Sequence, residues 1–234
     1  MGLTINGRKA RRSRRDDGTE SRTLGEMGTA TSLSELTSRQ FLGAIETSLA
    51  IYGNAMAADP VLLPGRRDLM RRHASYPSFR ALQARISQAE PVVGFAYGFH
   101  GCRGQWWYDA VWNAMVRSIG AAATADWLSN CLEVAELHVL SSHQRAGVGT
   151  ALLTTLTGGR PERTAVLSTP DRDTTARRLY RRMGFVELVT GYSFPGGSPP
   201  YIVMGADLPL RDSAADRPAD KDVGRPFSAS PSIS

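Results

Sequence analysis

Residues 136–150 read Glu136-Leu137-His138-Val139-Leu140-Ser141-Ser142-His143-Gln144-Arg145-Ala146-Gly147-Val148-Gly149-Thr150. A strand pattern runs into a polar loop. The loop then opens a helix whose apolar positions are Val148, Leu152, Leu153 and Leu156. Gly147 and Gly149 remove Cβ atoms where a ligand must approach the backbone. The first N–H groups of a helix have no internal partner, and with the helix dipole they form an anion site. Arg145 adds a fixed positive charge. The segment therefore predicts a phosphate or pyrophosphate held by residues 144–150. It differs from the dinucleotide fingerprint, which needs a third Gly and a downstream acid, and from a P-loop, which needs Gly-Lys-Ser/Thr.

Working outward, Phe41, Ile45, Leu49, Tyr52 and Met56 recur at helical spacing behind a Thr37/Gln40 capping box, which predicts a helix over 38–57. Residues 66–73 suggest a second, shorter helix. Ala81, Ala84 and Ile86, the turn signal at 88–91 and the run 92–99 read as a β-hairpin. Trp107, Val111, Trp112, Met115 and Ile119 mark a helical insert within 105–130. Residues 132–140 and 164–167 read as strands. Gly158 and Gly159 close the helix between them. Asp173 is the expected N-cap of a helix carrying Ala176, Leu179, Tyr180 and Met183 on one face, stopped at Gly184. Residues 185–189 and 201–208 are the last strands. Strands alternating with helices imply a mixed α/β sheet.

The loop and its surroundings resemble the GCN5-related N-acetyltransferase (GNAT) superfamily. Residues 144–149 resemble its pyrophosphate loop, residues 136–139 its fourth strand. The run Ala176-Arg177-Arg178-Leu179-Tyr180-Arg181-Arg182-Met183-Gly184-Phe185 resembles its second signature. The resemblance covers about residues 24–208 and is densest over 132–190. It implies the GNAT fold: a mixed, mostly antiparallel central sheet with helices on both faces, here with a helical insert before the fourth strand. It implies acetyl-CoA as acetyl donor to an amine. Leu137 and Val139 would pair with pantetheine where the fourth and fifth strands part at a bulge. The loop residues Gln144, Arg145, Ala146, Gly147, Val148, Gly149 and Thr150 would hold the pyrophosphate. Asp173 departs from the Asn common there and is a poorer neighbour for an anionic cofactor.

Acetyl transfer by direct attack needs a base for the amine and a proton for the departing thiolate. No nucleophile elbow is present, which suits direct attack. Glu136 is the candidate base, on the expectation that an apolar cleft raises its pKa. Glu133 and His138 compete with it, because a bulge would break the strand's alternation. Tyr180 is the candidate acid, as the second signature implies. Gln105-Trp106-Trp107-Tyr108, Trp112 and Trp127 are either core or a wall of the acceptor pocket shared with Tyr97, Phe99 and the 191–200 loop.

The totals bound the rest. The 234 residues are 41% hydrophobic and 21% charged, ordinary for one globular domain. Residues 1–23 hold seven basic and three acidic side chains, a net of +4, which leaves +2 of the total +6 for the remainder. A specific nucleic-acid face is therefore not expected, and 1–23 and 209–234 read as disordered tails, the first of them basic, around a domain at 24–208. There is no apolar run of membrane length and no secretory h-region, and Cys102 and Cys131 are the only cysteines. These features fit a cytoplasmic protein with reduced thiols. His100, Cys102, His138 and His143 lack partners at ligand spacing, so no metal is expected. A homodimer is open, as dimers are common among similar proteins. A non-catalytic acyl-CoA sensor is the alternative; it would need the loop but no acid or base.

Overall fold

The computed structural model describes residues 31–196 and 198–210. The expected tail 1–23 and most of the expected tail 209–234 lie outside the described residues. Leu210 packs against the core, two residues past the expected boundary at 208.

The chain opens with β1 (Ser32–Leu36), α1 (Ser38–Gly43), α2 (Ile45–Met56) and α3 (Leu63–His73). Thr37 and Gln40 form the predicted capping box. The helix predicted over 38–57 is two helices, because Ala44 sits at φ −101°, ψ 4° and interrupts it. Strand β1 was not predicted: five residues with one edge in solvent carry too little alternation to read. The predicted hairpin is β2 (Arg80–Arg85) and β3 (Val92–Gly101). The insert forms α4 (Trp106–Ile119) and α5 (Ala121–Leu128), followed by β4 (Cys131–Val139), α6 (Val148–Thr157), β5 (Thr164–Pro170), α7 (Thr175–Arg182), β6 (Val186–Tyr192) and β7 (Tyr201–Asp207).

The seven strands form one sheet in the order β1-β2-β3-β4-β5-β7-β6. Only β4 and β5 pair in parallel; every other neighbour pair is antiparallel. Helices cover both faces. Helices α6 and α7 bury Leu152, Leu153, Leu156 and Leu179 with Leu132, Val134, Leu167 and Met204 of the strands. The opposite face carries two clusters. Phe41, Ile45, Leu49 and Met70 of α1–α3 lie over Phe95, Tyr97 and Phe99. Tyr108, Val111, Met115 and Leu128 of α4 and α5 lie over Val166, Val189 and Val203.

One irregularity positions the site. Between Tyr97 and Gly98 of β3 the register with β4 shifts, so Tyr97 faces Glu136 while Gly98 faces Val134. Ala135 is the extra residue of a β-bulge. Before it, Leu132 and Val134 join the α6/α7 core; after it, Leu137 and Val139 do. The extra residue puts Glu133, Glu136 and His138 together on the opposite face, where a regular strand would have separated Glu133 from the other two.

Candidate active site

The β4–β5 ladder runs only from Cys131↔Thr164 to Glu133↔Val166, and beyond Glu133 the two strands part. Leu140 N–H donates to Val93 O of β3 at 2.8 Å. Antiparallel alternation then points the backbone groups of His138 and Glu136 at β3, and those of Leu137 and Val139 into the gap on the β5 side. Past Glu133 the two strands therefore leave main-chain groups with no strand partner, an arrangement suited to an added strand-like partner.

Past β4, a 3-10 turn at Ser141–His143 leads to the loop. Asn54 Oδ1 of α2 accepts from Ser141 N at 2.9 Å and Ser141 Oγ at 3.0 Å, which ties the turn to α2. Gln144 turns back, its Nε2 donating to Val139 O at 3.1 Å. Arg145 adopts φ 65° and Gly147 φ 81°, the latter as N-cap of α6 with no capping side chain. The first-turn N–H groups of α6 therefore keep their donors free of any cap. The two glycines serve different ends. A Cβ on Gly147 would meet nothing within 4 Å, so its surroundings are open. A Cβ on Gly149 would stand 3.2 Å from Leu179 and 3.7 Å from Leu137, so Gly149 lets α6 sit close to β4 and α7. Val148 is buried, whereas Gln144, Arg145, Ala146 and Thr150 are exposed.

On the sheet face under α2 and α3, Glu136 is the hub of a polar cluster. Its Oε1 accepts from Arg66 Nη1 of α3 at 2.7 Å, and its Oε2 is hydrogen-bonded to His138 Nε2. Arg66 Nη2 donates to Tyr52 OH of α2 at 3.1 Å, and the guanidinium lies over the Tyr52 ring. The ring of Tyr52 meets that of His138 edge-on at 5.1 Å. Burial alone would raise the Glu136 carboxyl, but Arg66 and the His138 bond outweigh it and hold the pKa below the ordinary range. The expected upward shift is thus reversed. It falls on Glu133 instead: burial and the Glu136 charge push Glu133 up to about 8, and its buried Oε2 has no partner. Beside them, burial drives His73 down to about 4, and its Nδ1 meets Tyr97 OH at 3.1 Å.

Tyr180 lies in the α6/α7 core, on the face of the sheet opposite Glu136, with its ring 5.6 Å from Phe185. Burial raises its phenol, and the hydroxyl makes no hydrogen bond among the described residues. Asp173 is not the N-cap of α7. Thr174 fills that place, its hydroxyl accepting from Arg177 N at 3.0 Å, while Asp173 pairs with Arg178 in solvent. One register step decided it: the chain must be extended at the cap, and Thr174 is the residue there.

A cavity of about 270 Å³ opens between the end of α2, the end of β5 and the segment entering β7, lined by Met56, Pro170, Asp171, Arg172, Pro199, Pro200 and Tyr201. Burial raises the Tyr201 phenol, and Tyr52, Arg66 and Glu136 are near enough to act on it, so the cavity adjoins the Glu136 cluster. The aromatic insert is core: Tyr108, Trp107, Trp112 and Trp127 pack on β5, β6 and β7, apart from the cluster that holds Tyr97 and Phe99. Phe194 of the 191–200 loop does join the insert, with the Trp106 ring tilted against it at 5.5 Å. Arg66, Tyr52 and Tyr201 were not singled out from the sequence as site residues. Arg66 lies 70 residues from Glu136, and only the demand of a buried acid for a cation could have pointed to it.

Among the described residues no group of three metal-ligating side chains gathers, and no helix is long and apolar enough to cross a membrane. A family model described as an acetyltransferase (GNAT) domain matches residues 102–187. A GCN5-like protein acetyltransferase of Mycobacterium tuberculosis is 36% identical over 175 residues, which cover 73% of this chain and 75% of the relative. The ribosomal-protein-S18-alanine N-acetyltransferase of Escherichia coli shares the fold with a TM-score of 0.51 at 16% identity, over 78% of this chain and 96% of that one. A NatC complex bound to Gag peptide and CoA aligns with a TM-score of 0.50 at 13% identity, over 76% of this chain and 98% of that one.

Proposed function

The chain belongs to the GNAT acetyltransferase family, and from that premise we propose that it is an N-acetyltransferase moving the acetyl group of acetyl-CoA to a primary amine by direct attack. The single observation that carries this reading is the parted β4–β5 pair. It leaves the main chain of Leu137 and Val139 without a strand partner beside an uncapped α6 N-terminus, with Val139 O held by the Gln144 side chain. The backbone groups of Leu137 and Val139 suit the amides of a pantetheine arm. The N–H groups over 144–150, with the Arg145 cation, suit its pyrophosphate. Gln144 now occupies Val139 O and would swing aside to release it.

Tyr180 supplies the proton that the CoA thiolate needs, from a buried phenol of the α6/α7 core. The cavity beside Tyr201 takes the acceptor. Its apolar rim of Met56, Pro170, Pro199 and Pro200 favours an amine borne on an apolar or peptidic body. The Mycobacterium tuberculosis relative is named a protein acetyltransferase, so lysine-containing and N-terminal peptides head the acceptor panel. Acid and base candidates on both sides of the gap favour an enzyme over a sensor.

The test is calorimetric titration with acetyl-CoA of the wild type and of Gly147→Trp, which fills the open space over the loop. The expected result is one site per chain, lost in the variant, and thiol release with at least one amine. A folded wild type that binds no acetyl-CoA would overturn the proposal. Binding without turnover across a broad amine panel would favour the sensor.

A further inference from the structure

We propose that His138 is the residue that takes the amine's proton, and that Glu136 and Arg66 act through it as positioning residues. This rests on the acetyl-transfer reading above and assigns roles within it.

The geometry carries the assignment. Both oxygens of Glu136 are engaged, Oε1 by Arg66 Nη1 and Oε2 by His138 Nε2. The Arg66 cation lies against the carboxylate at 2.7 Å, and Glu136 is 5% exposed. A buried carboxylate salt-bridged in this way is ionised and only accepts hydrogen bonds. His138 Nε2 must therefore carry a proton, and in the neutral ring the lone pair is on Nδ1. Nδ1 has no partner among the described residues. Among the described residues the buried orphaned side-chain atoms are Ser48 Oγ, Arg80 Nε and Glu133 Oε2, so Nδ1 is open rather than sealed. The ring cannot turn freely: Tyr52 meets it edge-on at 5.1 Å and Phe95 lies 5.5 Å away. A fixed imidazole results, with one nitrogen locked on a carboxylate and the other bare, on the same face of β4 as Glu136. A carboxylate on the far nitrogen fixes the tautomer and the orientation of the ring. Glu136 itself is the weaker candidate, because accepting a proton would break its pair with Arg66.

The step balances. As the acceptor nitrogen forms its bond to the acetyl carbon, the C–S bond breaks and CoA leaves as thiolate. The amine's surplus proton passes to His138 Nδ1. Tyr180 gives its proton to the thiolate, and the two residues exchange protons with solvent before the next turnover. No other reactant is needed.

Two experiments test this. The first is independent of any acceptor. Diethyl pyrocarbonate acylates unprotonated imidazole nitrogen, and mass spectrometry locates the modified histidine. We expect His138 to be modified in the wild type although only 12% of its side chain is exposed, and more slowly in Glu136→Gln. A folded wild type left unmodified at His138 overturns the proposal. The second uses the best amine of the acceptor panel. We expect His138→Gln to lower kcat about 100-fold or more, in the range of a lost general base, with acetyl-CoA affinity unchanged. In His138→Ala, a series of added imidazoles should restore turnover in order of their basicity, which a merely structural histidine would not show. Arg66→Met and Glu136→Gln should lower kcat without abolishing it. If His138→Gln stays near wild type while Glu136→Gln is dead, Glu136 is the base and the proposal fails. If the wild type binds no acetyl-CoA at all, the proposed activity fails separately, and the modification result still decides the state of His138.

Discussion

Glu133 and Glu136 are three positions apart on one strand, yet their environments drive them in opposite directions. Glu136 has Arg66 and His138 on its two oxygens and stays ionised. Glu133 has a buried, unpartnered Oε2 and the neighbouring negative charge, and rises to about 8. A carboxyl raised in the folded state holds its proton after the unfolded chain has released it. Its stabilising effect is complete below the unfolded pKa of about 4.3 and is lost as pH climbs through the folded value, at up to about 1.4 kcal/mol per pH unit. Glu133→Gln removes that dependence. Thermal unfolding should show the variant near wild type at pH 5 and more stable than wild type at pH 8. A stability difference that does not grow between those values would place a cation beside Glu133. The composition around 133–138 gave three candidate acids and bases but not their order. What separates them is Arg66, brought from 70 residues away, and the bulge at Ala135, which a strand pattern does not announce.

At the scale of the element, the helix ends are where chemistry was most legible and register least. The Thr37/Gln40 capping box was readable because both partners lie within one turn. The cap of α7 was misplaced by one residue, since Asp173 and Thr174 are both good caps and only backbone conformation selects Thr174. Thr174→Ala should therefore cost about 1 kcal/mol in chemical denaturation. Asp173→Ala should cost almost nothing, because its partner Arg178 is an exposed side chain. Equal losses would mean that Asp173 shares the cap. The loop glycines divide the same way. Gly149→Ala presses a methyl toward Leu179 at 3.2 Å and should destabilise by about 1–3 kcal/mol through overpacking between α6 and α7. Gly147→Ala has free space but keeps φ 81°, so its cost, about 1 kcal/mol, is backbone strain. Its larger effect should be on acetyl-CoA affinity, read by calorimetry. A Gly147→Ala variant that binds as well as wild type would move the anion site off the loop.

At the scale of the molecule, the sheet is covered unequally, and the insert between β3 and β4 accounts for the difference. Helices α1–α3 cover β2 and β3, and α6 and α7 take the reverse face. Without α4 and α5, the inner sides of Val166, Val189 and Val203 would lie open to water. The aromatic richness of 105–130 was readable; which surface it meets was not, because the strands it covers begin only at Thr164. The structural role can be tested against an acceptor role. Met115 is fully buried on α4, and Ile119 on the same helix is 36% exposed. Met115→Ala should lose about 2–5 kcal/mol in urea denaturation, and Ile119→Ala far less. At a temperature where both remain folded, acetyl-CoA affinity and the KM for the acceptor should match wild type, since neither residue lines the cavity at Tyr201. A Met115→Ala protein that keeps its stability but loses acceptor binding would return the insert to the pocket wall. The cavity between α2, β5 and β7 would then be an incomplete account of where the amine enters.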